Sequence, residues 1–214
     1  MKSAPLLTLI VAASCLFAPR ASAEGATHDE GHRWAVSAAA YTFFLPDHGD
    51  YVQPVIAVDR DAVHLESRYN YEAAHTGSAW VGYNLSGGEE LTWSLTPIVG
   101  AIFGDLRGLA PGYEGTLGYW RVALDSESEY VFDFADASAG FLYNWTELAL
   151  SPVEWLRLGA VVQRTRAYQT EREIQRGLLL GVSNELAGLT LYAFNPGEAE
   201  AAVWVVALEL GLEP

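Results

Sequence analysis

In the stretch 62-AVHLESRYNYE-72, Val63, Leu65, Ser67, Tyr69 and Tyr71 share one parity, and His64, Glu66, Arg68, Asn70 and Glu72 share the other. A period of two places successive side chains on opposite faces of an extended chain, so this is a strand with an oily face and a charged face. The pattern recurs beyond Arg33, broken by clusters of Gly, Pro, Asp and Asn about every dozen residues, and no long 3.6-residue period interrupts it. An all-β chain follows. The spacing predicts twelve strands over 34-45, 51-58, 62-72, 78-85, 91-103, 113-122, 126-134, 140-149, 155-166, 173-184, 188-194 and 202-212, within a range of about 10 to 14 for a barrel of this kind.

Which face turns inward decides the class of protein. Leu91, Trp93, Leu95, Pro97, Val99, Ala101 and Phe103 form one tall apolar stripe, against Thr92, Ser94, Thr96, Gly100 and Gly104. An apolar band tipped by aromatics is what hydrocarbon and its two interfaces select. Tyr69, Tyr71, Tyr130, Phe132, Phe134, Tyr143 and Trp145 are read as outward aromatics on the same ground. The opposite parity, with His64, Glu66, Arg68 and Asn70 on strand three and Glu127, Glu129 and Asp133 on strand seven, is too polar for a soluble core. The predicted fold is an antiparallel up-and-down transmembrane β-barrel with its hydrophilic parity inward.

Compact turns at 59-61, 86-89, 151-154 and 184-188 alternate with longer loops at 45-50, 72-78, 104-112, 134-140, 168-173 and 195-201. Short turns at one end and long loops at the other match the periplasmic and extracellular ends of such barrels. A soluble secreted binding barrel also makes hairpins, but a soluble surface normally carries Lys. Lys2 and Arg20 lie in residues 1-23, whose apolar run Leu6–Phe17 and Ala21-Ser22-Ala23 have the form of a signal peptide. Without them the chain has ten Arg, no Lys and 27 acidic residues, a formal charge of −17. That charge argues against a nucleic-acid partner. Cys15 falls within the same segment, so disulfides and thiol chemistry are not expected after cleavage. No later run approaches the ~20 apolar residues of a membrane helix. The expected organisation is a signal peptide over 1-23, a flexible periplasmic leader over 24-33 and an outer-membrane barrel over 34-214.

The runs YVQP, HLESRYNYE, TGSAWVGYN, APGY, EYVFD, QRTRAYQT, IQRG and FNP occur in this order along the chain. In this it resembles the uncharacterised outer-membrane β-barrel families of Gram-negative bacteria. The resemblance covers nearly everything after Trp34 and implies a fold, an outer-membrane location and insertion by the barrel-assembly machinery. It departs at the end, where Leu212-Glu213-Pro214 stands in place of the aromatic residue that machinery usually reads.

Two constellations carry candidate chemistry. His64, Glu66, Arg68 and Glu72, with Glu127 and Glu129, are expected to form a lumen ion network; a charged constriction, or an acid–base pair of His64 and Glu66, uses the same residues. In 163-QRTRAYQTEREIQRG-177, a hairpin turning about Thr170 places Arg164 opposite Arg176, with Arg166 nearby, at the upper edge of the lipid band. Opposed guanidiniums need an anion, which the phosphates of lipopolysaccharide supply; a bulge turning them inward toward Glu171 and Glu173 is the alternative. Ser126 and Ser128 lack the surroundings of a nucleophile motif. His28, Asp29, Glu30 and His32 lack the spacing of a metal site and read as a solvated tail. No catalytic residue, metal ligand or cofactor is therefore assigned. The expected protein is a monomeric, non-enzymatic narrow channel or structural barrel in contact with outer-membrane lipid and lipopolysaccharide. The competing readings are an outer-membrane enzyme acting on lipid or lipopolysaccharide and the soluble secreted barrel.

Overall fold

A computed structural model describes residues 34-46, 49-136, 139-164, 174-198 and 202-212. The leader and signal assignments therefore lie outside the described residues, as do Arg166, Glu171 and Glu173. The strands are β1 (Ala35–Phe44), β2 (Tyr51–Arg60), β3 (Val63–Tyr69), β4 (Thr76–Tyr83), β5 (Leu85–Gly87), β6 (Leu91–Gly104), β7 (Gly108–Tyr119), β8 (Val122–Asp133), β9 (Phe141–Val153), β10 (Leu156–Arg164), β11 (Ile174–Ser183), β12 (Ala187–Phe194) and β13 (Val203–Leu212). Each pairs antiparallel with its sequence neighbour, and β1 pairs with β13 from Val36↔Leu212 to Phe44↔Trp204, which closes the ring. Both β4 and β5 pair with β6, so they are one interrupted stave. The molecule is a closed antiparallel barrel of 12 staves. Closure matters because, in lipid, every backbone N–H and C=O must be satisfied within the protein.

Orientation follows from the period of two. Leu95, Val99 and Leu208 are 39%, 47% and 48% exposed on the outer wall, whereas His64 and Glu129 are 3% and 1% exposed inside. Tyr83, Trp93, Tyr119, Trp120 and Trp155 ring the end that carries the short turns and the start of β1. Phe44, Tyr69, Phe103, Phe132, Phe134 and Trp204 ring the end with the longer connections. Aromatic girdles at two levels around an apolar band are the outer surface of a membrane barrel.

The structure moves one hairpin and three side chains from the sequence reading. Strand β7 begins at Gly108 rather than at 113, because Gly108–Gly112 pairs with β6 and shortens the preceding loop. The next turn lies at Trp120-Arg121, with Trp120 at φ 53°, so Asp125 falls inside β8 rather than near a boundary. Tyr71 is buried, not outward, because Asn70 at φ 56° breaks the strand and folds the following residues over the lumen. Tyr143 and Trp145 are also buried. They share the parity of Glu147, and a lipid-facing Trp145 would carry Glu147 into hydrocarbon with it. Burial of one carboxylate charge costs far more than one misplaced aromatic.

The interior is filled unevenly. Trp145 packs edge-on against Tyr192 at 5.1 Å and Phe194 at 5.3 Å, and Phe43 stacks on Tyr51 at 4.6 Å, giving an aromatic half lined by β1, β9, β12 and β13. On β3, β7 and β8 the interior carries His64, Glu66, Arg68, Glu114, Glu127 and Glu129 beside a smaller apolar cluster around Trp80.

Candidate functional site

Strand β3 delivers His64, Glu66 and Arg68 at alternate positions, so all three point into the lumen and each is at most 5% exposed. Arg68 is the hub. Its Nη1 donates to Glu127 Oε1 at 2.6 Å and Glu129 Oε2 at 3.1 Å, its Nη2 donates to Glu114 Oε1 at 3.0 Å, and its Nε donates to Glu66 Oε1. β3 does not pair with β7 or β8, so these bonds cross the lumen rather than run along the wall. The guanidinium also lies against two rings, 4.4 Å from the centroid of Tyr71 and 4.6 Å from that of Trp80. Tyr71 donates its hydroxyl to Glu127 at 2.7 Å. Gly100 lies opposite Trp80 in the ladder, and a Cβ there would meet the indole at 2.4 Å. The missing side chain is what lets the indole lie flat under Arg68.

Residues just outside β3 complete the cluster. Asp59 of β2, paired with His64, accepts from His64 Nδ1 at 2.9 Å and from Asn84 Nδ2 at 2.7 Å. Glu72, which belongs to the connection after β3 rather than to the strand, is fully buried and accepts from Ser78 Oγ at 2.5 Å; Trp80 Nε1 donates to the same Ser78 at 2.8 Å. Burial raises the carboxyl pKa of Glu72 above its ordinary value.

A second ion cluster sits against another part of the wall. Arg157 Nη2 of β10 donates to Asp125 Oδ2 at 2.7 Å, and its Nη1 is 2.7 Å from Glu147 Oε2. Trp145 Nε1 donates to Glu147 Oε1 at 2.6 Å and Thr116 to Asp125 Oδ1 at 2.8 Å. Sequence reasoning missed this cluster, along with Asp59 and Glu114. The strand parity of Asp125 and Glu114 was hidden by the displaced β7–β8 hairpin, and that of Glu147 by giving Trp145 to the lipid.

The six residues expected in the lumen network thus lie in one buried cluster, whereas the arginine pair has a different geometry. Arg164 registers with Ile174 and Arg176 with Val162, so the two are diagonal, not opposed; a turn about Thr170 would have paired Arg164 with Arg176, two residues further along β11. Both face outward near the loop end. Ser126 and Ser128 lie on the outer face of β8, opposite in parity to Glu127, where Ser126 Oγ is 3.0 Å from Thr146 Oγ1 and Ser128 donates to the carbonyl of Tyr143. His64 and these hydroxyls are therefore on opposite sides of the wall.

A closed ring, an apolar belt with two aromatic girdles and a charged interior define the fold of a transmembrane β-barrel. Among solved structures, the chain is similar to one described as "KdgM porin in complex with disordered oligogalacturonate", at 10% identity over 82% of this chain and 99% of that one, with a TM-score of 0.62. It is also similar to the Acinetobacter baumannii outer membrane protein Omp33, at 10% identity over 85% and 98% of the two chains, with a TM-score of 0.43. No protein-family model matches the chain. No curated protein matches it either.

Proposed function

We propose that this chain is a monomeric, non-enzymatic outer-membrane barrel that acts as a narrow channel for cations and small neutral polar solutes, braced at its loop half by the Arg68 cluster. The carrying observation is the sign of the interior. Glu66, Glu72, Glu114, Glu127 and Glu129 surround Arg68, and Asp125 and Glu147 surround Arg157, so carboxylates outnumber guanidiniums wherever the lumen is charged. A low-dielectric passage lined by one sign concentrates the opposite sign. Oligogalacturonate, the polyanion held by the porin of similar fold, is the wrong charge for such an interior, so the cargo is not carried over with the fold.

Planar-bilayer recording of the refolded protein tests this. The expected result is a small conductance with a reversal potential favouring K⁺ over Cl⁻ in a salt gradient. A Tyr71→Ala variant, which removes a ring from the lumen and leaves every charge in place, is expected to conduct more. Anion selectivity would overturn the reading. Silence from both proteins would leave the structural barrel, which the 0–8% exposure of the buried inward residues supports.

Contact with lipopolysaccharide belongs to the same proposal. Arg164 and Arg176 face outward at the loop end, one above Val162 and the other above Leu178, where outer-leaflet phosphates lie and guanidinium binds phosphate in a fork. Changing both to Gln is expected to abolish any rise in thermal stability on adding lipopolysaccharide; an unchanged rise would reject the contact. Export by residues 1-23 and insertion by the assembly machinery complete the expected route.

A further inference from the structure

We infer that His64, Glu66 and Glu114 form a binding site for a single transition-metal dication of the zinc class inside the barrel. Each of the three can place one ligand atom so that all three atoms lie within 4.8 Å of one another. Tetrahedral zinc with bonds of ~2.0–2.2 Å sets its ligand atoms roughly 3.3–3.6 Å apart; His64 Nε2 and Glu66 Oε2, at 3.5 Å, already match, and Glu114 must close by about an ångström.

The hydrogen bonding around the three points to the same place. Asp59 has only acceptor oxygens, so the 2.9 Å contact holds a proton on His64 Nδ1 and turns Nε2 toward Glu66. Asp59 is itself fixed by Asn84, whose Oδ1 accepts from Thr96 at 2.7 Å. A carboxylate gripping the far nitrogen of an imidazole is how metal-ligating histidines are oriented. His64 Nε2 is buried and takes part in no hydrogen bond, and the same is true of Glu66 Oε2, 3.5 Å away. An imidazole nitrogen and a carboxylate oxygen this close in a dry interior need a positive charge between them, a proton or a metal ion. Glu66 and Glu114 each give one oxygen to Arg68, so Arg68 orients the carboxylates while leaving the second oxygen of each for the metal.

Charge permits the ion. Asp59, Glu66, Glu72, Glu114, Glu127 and Glu129 stand against one guanidinium, and a dication still leaves the cluster negative. Glu114 also offers a way in, since its side chain is 14% exposed where the other two are at most 4%. One imidazole with two carboxylates suits zinc, manganese or ferrous iron and disfavours Ca²⁺, which takes oxygen alone. The inference stands whether or not the barrel conducts.

The full chain, refolded in detergent and stripped with chelator, is titrated with Zn²⁺ by calorimetry, in a background where His28, His32, His48 and the exposed His75 are changed to Ala to remove adventitious imidazoles. One equivalent is expected to bind, with a rise in thermal stability. X-ray absorption is expected to show a shell of nitrogen and oxygen with one imidazole. Glu114→Gln and His64→Gln are expected to weaken binding by well over ~10-fold, and Asp59→Asn by ~10-fold, the scale of an orienting partner. Excess Ca²⁺ is expected not to compete. A proton shared by His64 and Glu66 in place of a metal would appear as no stoichiometric Zn²⁺ uptake by the wild-type barrel, and that result overturns the inference even if every variant fails to fold. Uptake that survives both Glu114→Gln and His64→Gln overturns it as well.

Discussion

Among the described residues, the two buried arginines, Arg68 and Arg157, do different mechanical jobs. Arg157 binds Asp125 and Glu147, which come from β8 and β9, the next staves along the wall from its own β10. It staples a patch of wall to itself. Arg68 bonds Glu66 on its own strand and then spans the lumen to Glu114, Glu127 and Glu129 on β7 and β8, with the Tyr71 and Trp80 rings against its guanidinium. It holds apart, and holds together, regions that share no backbone ladder. A ladder fixes neighbouring staves whatever the side chains do, so interior ion pairs add most where no ladder exists.

The sharpest way to break that contrast is to remove each hub in turn. Arg68→Met leaves four carboxylates without their common partner in a buried place. The expected loss is at the upper end of the ~3–5 kcal/mol typical of breaking a buried ion pair from one side. Arg157→Met strands two carboxylates that keep hydrogen bonds from Trp145 and Thr116, so a loss near the lower end, about 3 kcal/mol, is expected. Equilibrium urea unfolding in lipid vesicles measures both. Equal losses would mean that crossing the lumen contributes nothing beyond local pairing.

A packing change tests the same brace without touching a charge. Gly100→Val would drive a side chain into the Trp80 indole, which has no room to retreat while it lies 4.6 Å below Arg68. Overpacking of this kind costs about 1–3 kcal/mol. The expected companion signature is a shift in Trp fluorescence, absent from a control such as Ala101→Val on the lipid side of the same strand. A silent Gly100→Val would place the indole's role in space filling rather than in holding the guanidinium.

Most of the barrel was legible from parity, and the failures have distinct physical sources. Alternation in 62-72 and 91-103 gave both faces of β3 and β6, because a lipid-facing wall and a charged lumen differ at every second residue. Aromatics do not differ in that way. Tyr and Trp suit both an interface and a wet interior that offers hydrogen-bond partners, and Trp145 takes the second option by donating to Glu147. Reading β9 from its carboxylate instead of its rings would have placed Tyr143, Trp145 and Glu147 correctly together. Contacts across the lumen are another matter. Glu114 meets Arg68 only through the closure and tilt of the barrel, and neither a strand pattern nor its spacing in sequence encodes a chord 46 residues long. The diagonal offset of Arg164 and Arg176 depends on where the hairpin turns, and a one-residue change in that centre moves every partner.

The smallest expected effect separates the cap from the brace. Glu72 lies beyond the end of β3, fully buried and held by Ser78, and burial raises its pKa above the ordinary carboxyl value. The folded chain therefore binds this proton more tightly than the unfolded chain. The resulting cost to stability is absent below the unfolded pKa, grows as pH rises from there toward the raised folded pKa, and is constant above it. Glu72→Gln cannot ionise, so it is expected to unfold at a higher urea concentration than the parent above that window and to lose its advantage below it. Because Arg68 is held by four other carboxylates, the variant should leave the Gly100→Val fluorescence response unchanged. If Glu72→Gln instead destabilised the barrel at every pH, Glu72 would be a working partner of Arg68, and cap and brace would be one unit.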